Sequence, residues 1–201
     1  SMSYFIKEEK FLLLFLPLGI LVGVFVFLRM DLALLGMFLL APLSVPLREY
    51  LPQLGIDMYL PTEPILVLLT FLFIAKLFID RVVDRQFFYH PVSLAIYFSL
   101  IWILITSVTS TMPGVSFKFL ASRIWFVVPF YFMSYFLFRE LKNIRLFYIL
   151  YTIGLLVVIF YTLNRHSGYG LMDQEASNWV CSPFYNDHTS YGAALAIILF
   201  S

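Results

Sequence analysis

The chain has 201 residues, 62% hydrophobic and 12% charged, with 13 basic against 12 acidic side chains and a mean hydropathy of +0.92. So much apolar surface exceeds what a soluble domain of this length can hide, which places the chain in a bilayer. The balanced charge argues against a nucleic-acid partner, which calls for a basic field, and the lone Cys181 excludes an internal disulfide and any cysteine-rich metal site.

Apolar runs at Phe11–Leu28, Leu32–Leu47, Pro64–Ile79, Val92–Val108, Ile124–Phe138 and Leu146–Leu163 predict helices, and a seventh run starts near Tyr191. The predicted fold class is therefore all-α: a polytopic transmembrane helix bundle of about six spans plus the start of a seventh. Residues 1–201 form one transmembrane domain on this reading. Several runs fall short of the roughly 20 residues that cross about 30 Å of hydrocarbon, so interfacial residues must extend them. The first run is not followed by a small-residue cleavage site and does not read as a signal peptide. In the second, Pro42 and Pro46 predict a kink or an early end.

Orientation follows from the short loops, because Lys and Arg are retained on the cytoplasmic side. Arg81 and Arg85 precede the fourth run, and Arg139, Lys142 and Arg145 crowd the link between the fifth and sixth. Those loops read as cytoplasmic. Loops Arg48–Glu63, Thr109–Arg123 and Asn164–Pro183 then face outward. Six full crossings would put Lys7 and Lys10 outside as well, so either the amino terminus is external or one of the first two runs does not cross.

The outward loops carry the candidate functional residues. Lys118 and Arg123 stand at the mouth of the fifth predicted helix, where they either snorkel to lipid headgroups or hold a phosphate, for which Arg supplies a planar fork of donors. Five residues apart on a helix, they point roughly 140° from one another and converge on one anion only through their long stems. The next loop holds Arg165, His166, Asp173 and Glu175; two carboxylates in a loop fix no distance between them and define no glycosidase pair.

Asn186, Asp187 and His188 follow Pro183, ahead of the last apolar run. Asn186 or Asp187 is expected to cap that helix, which leaves His188 without a structural reason. With Asp187 as the cap, His188, Tyr191 and Leu195 share one stripe, while Gly192, Ala193 and Ala196 offer small residues for close helix contact. His188 is thus expected near a protein interior or a wet cavity, as a base or a hydrogen-bond partner for a substrate hydroxyl. A metal site is not expected, since His90 and His166 have no spacing that supports a shared ion.

At these residues the chain resembles the O-antigen ligase and polymerase-like membrane proteins of bacterial cell-surface polysaccharide assembly. The resemblance rests on Pro183–Ala196 (PFYNDHTSYGAALA), on Val115–Trp125 (VSFKFLASRIW) and on Leu60–Pro64 (LPTEP). Many relatives read Asn-Pro-Asn where this chain has Tyr185, Asn186 and Asp187. Nothing here matches the family's Ser-Arg-Gly-like helix end or its long external loop with a His. The resemblance implies the amino-terminal half of an enzyme of about twelve spans in the bacterial inner membrane. It also implies inverting, metal-independent glycosyl transfer on the outer face, with no cofactor. The donor it implies is a glycan on undecaprenyl pyrophosphate, and the acceptor a lipid A-core sugar or a growing glycan. In that setting Lys118, Arg123, Arg165, Asn186 and Asp187 are the expected substrate-binding residues, and His188 the expected catalytic residue. A transporter or flippase of lipid-linked or anionic substrates, and a non-catalytic membrane subunit, are the alternatives.

Overall fold

A computed structural model describes residues 23, 24, 26–50, 58–80, 84–170 and 172–199. Helix α1 (Met30–Leu40) runs into a 3-10 turn, Ala41–Leu43, and then into strand β1 (Val45–Pro46). After the short α2 (Leu47–Tyr50), strand β2 (Tyr59–Leu60) pairs antiparallel with β1, Val45 opposite Leu60. Next come α3 (Thr62–Asp80), the single turn α4 (Arg85–Phe88), α5 (Pro91–Val108) and α6 (Pro113–Val127). The last passes through a π-turn, Val128–Met133, into α7 (Ser134–Leu137). Helix α8 (Leu141–Ser167), the turn α9 (Gln174–Ser177) and α10 (His188–Leu199) complete the described chain.

Four stretches are long and apolar enough to cross a membrane: Thr62–Ile79, Pro91–Val108, Pro113–Leu137 and Leu141–Ser167. They make this an all-α, multi-pass membrane protein whose lipid is the bilayer itself. Aromatic side chains such as Phe98 (69% exposed) and Phe160 (76%) point outward, as they do when lipid tails replace water. The expected six spans are not found among the described residues. The run Phe11–Leu28 lies largely outside them, and α10 has 12 residues. The run Leu32–Leu47 supplies only the short apolar stretch Met30–Leu43. Pro42 and Pro46 explain that shortening: with no amide hydrogen and a fixed φ, each stops the helical ladder, and the chain turns into β1.

Sequence signals set several helix starts. Pro91 and Pro113 occupy first-turn positions where a missing amide costs nothing. His90 accepts from the Val92 amide through Nδ1 at 3.4 Å. Pro129 explains the π-turn, because its ring and absent donor displace the regular ladder and the backbone widens by one residue. Ser134 Oγ donates back to the Pro129 carbonyl at 3.0 Å, which satisfies a group the wider turn leaves free.

The core lies where α1, α3, α7 and α8 meet. Leu34, Leu35, Phe38, Leu69, Met133 and Leu137 are buried together there, and the Phe147 ring stands edge-on to Phe38 at 4.5 Å. At Gly154, midway along α8, the backbones of α1 and α8 touch; a Cβ there would overlap the Leu39 carbonyl oxygen and meet Pro42 Cδ at 3.4 Å.

Because the four crossings alternate, residues 84–91 and the connection 137–141 share one end of the bundle, hereafter the Arg139 end. The connection 108–113 and the segment after Ser167 share the other, the Ser167 end. A clamp closes the Arg139 end. Asp84 caps α4 by accepting from the Phe87 amide at 3.4 Å, accepts from the Tyr135 hydroxyl at 3.2 Å, and pairs with Arg139. The Phe87 ring lies flat on Tyr135 at 3.6 Å, and Arg139 sits over the same Tyr135 ring at 4.7 Å.

Candidate functional site

Three pieces of chain converge at the Ser167 end. The first is the short β pair, tied to α3 where the Ser44 and Thr62 hydroxyls meet at 2.5 Å, both residues being buried. The second is the end of α8. This helix runs four residues past the expected Leu163, so Arg165 and His166 lie in its last turn rather than in a loop, with Gly168 as the C-cap. Cations in a helix's final turn meet unpaired carbonyls and the negative end of the dipole, which favours the extension.

The third piece is the segment from Asp173 to Asp187, and it is folded by its own polar residues. Asp173 caps α9 through the Glu175 and Ala176 amides at 2.9 and 3.2 Å, and its carbonyl meets His166 Nε2 at 3.1 Å. Arg165 donates to the Ser182 carbonyl and lies over the Trp179 ring at 5.1 Å. Trp179 in turn stands edge-on to Tyr169 at 4.8 Å. Arg165, expected to bind substrate, thus fastens the loop to the end of α8.

Asp187 is the N-cap of α10. Its Oδ1 accepts from the Ser190 amide at 2.7 Å and the Ser190 hydroxyl at 3.0 Å, and Thr189 donates to the same atom. The hydroxyl of Thr189 and the amide and hydroxyl of Ser190 together hold the carboxyl down to about 2 from its ordinary 3.8. A carboxyl lowered on folding stabilises the fold in full above its unfolded value. That contribution is lost as the pH falls below about 3.8 and through about 2. Protection of the Ser190 amide from hydrogen exchange should therefore be flat from neutral pH to about 4 and then decline. Asp187→Ala should abolish both the protection and its pH dependence, and pH-independent protection in wild type would exclude the cap.

Asn186 does not cap; its Nδ2 donates to the Tyr59 hydroxyl at 3.3 Å, which joins the start of α10 to β2 across 127 positions of sequence. His188 departs from expectation. It is exposed, rather than turned to an interior or a cavity, because the face α10 buries is the one carrying Ala194. Gly192 and Ala193 are exposed, and a Cβ at Gly192 would meet nothing within 4 Å. Of the small-residue stripe, Gly192 and Ala193 are thus left uncovered by the described residues, and Ala196 is half-buried.

Lys118 and Arg123 also sit differently from expectation. The helix begins at Pro113, inside the expected loop Thr109–Arg123, so both lie within α6. The preceding turn is stitched by Ser107 Oγ on the Ser116 carbonyl at 3.2 Å and by Ser116 Oγ on Ser110 Oγ at 2.7 Å. From Pro113 to Leu137 the chain crosses in 25 residues, about 37 Å of helix against about 30 Å of hydrocarbon. The excess lets the first turns stand at headgroup level. Lys118 then lies near the boundary, and Arg123 about 7 Å deeper, within reach of the headgroups by its stem. Both side chains are exposed, and neither has a hydrogen-bond or ion-pair partner among the described residues. At the Arg139 end, by contrast, Arg139 pairs with Asp84 and Lys142 with Glu140.

The structure thus joins Asn186 and Asp187 to Tyr59 and the start of α10, and Arg165 to the loop before them. No hydrogen bond or ion pair among the described residues connects this assembly to Lys118 or Arg123. Tyr59, Ser44 and Thr62 escaped the sequence reading, since nothing local marks a hydroxyl whose partner is distant in the chain. Searches against family models, curated proteins and solved structures find no match to this chain.

Proposed function

We propose that this protein is part of a membrane glycosyltransferase that moves a glycan from an undecaprenyl-pyrophosphate carrier to a lipid A-core or glycan acceptor. On this reading it acts on the outer face of the bacterial inner membrane. The observation that carries the proposal is the pair of exposed cations Lys118 and Arg123, near headgroup level of a crossing helix and without a partner among the described residues. They sit at the end opposite the basic connections Arg85, Arg139, Lys142 and Arg145, which the positive-inside rule assigns to the cytoplasm.

A lipid pyrophosphate approaches such a site laterally, with its phosphates at the level where Lys118 and Arg123 end. As the anomeric carbon passes to the acceptor hydroxyl, the bond to the pyrophosphate breaks and negative charge grows on the leaving group. Fixed cations beside it then favour the transition state over the ground state. The β pair, tied down by Ser44, Thr62 and Asn186, gives the same end a floor of ordered backbone. His188, exposed at the start of α10, is the residue free to meet an acceptor hydroxyl.

The test is donor turnover by the full-length protein in detergent or vesicles. Loss of one charge-assisted contact is worth roughly 2 kcal/mol, so Arg123→Ala should slow release of undecaprenyl pyrophosphate by about thirtyfold. Arg123→Lys should fall between, and the thermal midpoint should not move. Undiminished release by Arg123→Ala would sink the assignment, and so would movement of donor across the membrane with no bond cleaved.

A further inference from the structure

A cavity of about 450 Å³ opens at the Arg139 end, among α1, α3, α7 and the start of α8. Its volume falls within the range of small-molecule sites. The floor is apolar: Leu34, Met133 and Leu137 are buried, and Phe73 packs against the same core. The rim carries four charges, Asp31, Lys76, Glu140 and Lys142. Three of them are already paired, Lys142 with Glu140 at 2.6 Å and Asp31 with Arg29 at 3.5 Å. Lys76 is half-buried and has no hydrogen-bond or ion-pair partner among the described residues.

A lysine inside a crossing helix commonly snorkels to the nearest headgroups. Lys76 does not lie on the lipid-facing side, however. It follows Phe73 by one turn on the face of α3 that lines the cavity. A hydrophobic floor under one cation that no described residue pairs is complementary to a molecule with an apolar chain and a single anionic head. We propose that this cavity binds an anionic amphiphile, its chain on Leu34, Phe73, Met133 and Leu137 and its phosphate or carboxylate head on Lys76. The site is at the opposite end from Lys118 and Arg123 and does not depend on the transfer reading.

Dodecyl phosphate is the probe, added to the full-length protein in dodecyl maltoside while the thermal midpoint is followed. A ligand that binds only the folded state raises that midpoint with saturation. Wild type and Lys76→Arg should respond alike. Lys76→Met should need at least ten times more dodecyl phosphate for half the effect. Native mass spectrometry should show one dodecyl phosphate per wild-type chain and none on Lys76→Met, a readout that stands even if the variant is less stable. Inorganic phosphate should have no effect, since it cannot use the floor. An equal response of Lys76→Met and wild type, or an equal response to inorganic phosphate, would overturn the site.

Discussion

Replacing Gly154 by Leu should destabilise the protein by about 4 kcal/mol, and replacing it by Ala by about 2 kcal/mol. In an isolated helix the Ala substitution would help by roughly 1 kcal/mol, because glycine has the larger entropy to lose. The sign is decided by what stands opposite. A Cβ at Gly154 would run into the Leu39 carbonyl and come into contact with the Pro42 ring. Neither is the free end of a flexible side chain, and the adjoining turn is held by the Ala41 amide on the Met37 carbonyl. The helices would have to separate, and in a bilayer close packing is most of what holds helices together. Gly36, in α1, is the internal control: a Cβ there meets nothing within 4 Å, so Gly36→Ala should raise stability by up to about 1 kcal/mol. Equilibrium unfolding in mixed micelles reads both. Equal effects of the two alanines would mean that α1 does not rest on α8 at Gly154.

The second large effect is expected at Phe87, which should lose about 3 kcal/mol on truncation to Ala. Its ring is buried, lies flat on Tyr135, and stands edge-on to Phe132 at 5.8 Å. Its carbonyl receives the Ser93 hydroxyl at 2.8 Å, so a single residue of α4 holds both α5 and α7. Removing the ring leaves a void and loosens the Asp84–Arg139 pair beside it. Phe98→Ala removes the same atoms from a ring that faces lipid and should change stability by less than about 0.5 kcal/mol. Should the two truncations cost the same, the stack at the Arg139 end contributes nothing beyond bulk hydrophobicity.

Features whose cause is local were legible in the sequence. Apolar runs gave the four crossing stretches, and Asp187 was recognisable as a cap because its partner Ser190 is three residues away. Boundaries are illegible where the deciding group serves loops and helix starts alike. Pro113 stands inside the loop expected over Thr109–Arg123, yet proline at the first position starts a helix as readily as it ends one, which puts Lys118 and Arg123 inside α6. The extension of α8 through Arg165 depends on a loop fastened to its end by Ser182 and Trp179, and no periodicity reports that. Asn186 on Tyr59 and Asp84 on Arg139 lie beyond local reading altogether, since each needs the fold in order to meet. His188 misled for a different reason: a stripe of small residues identifies a face suited to contact, but not whether that face is used.

The π-turn at Val128–Met133 acts as a phase shifter between the two halves of one crossing. Its additional residue rotates everything before it by roughly 100° relative to everything after it. The turn therefore sets the azimuths of Lys118 and Arg123, still roughly 140° apart, separately from Met133 and Leu137, which stay locked in the core. Within this crossing, the turn is the place where the chain's length is adjustable. Deleting one residue at its start would return the helix to regular pitch and swing both cations to a new azimuth, while the Tyr135 stack on Phe87 and the Asp84–Arg139 pair lie beyond the turn.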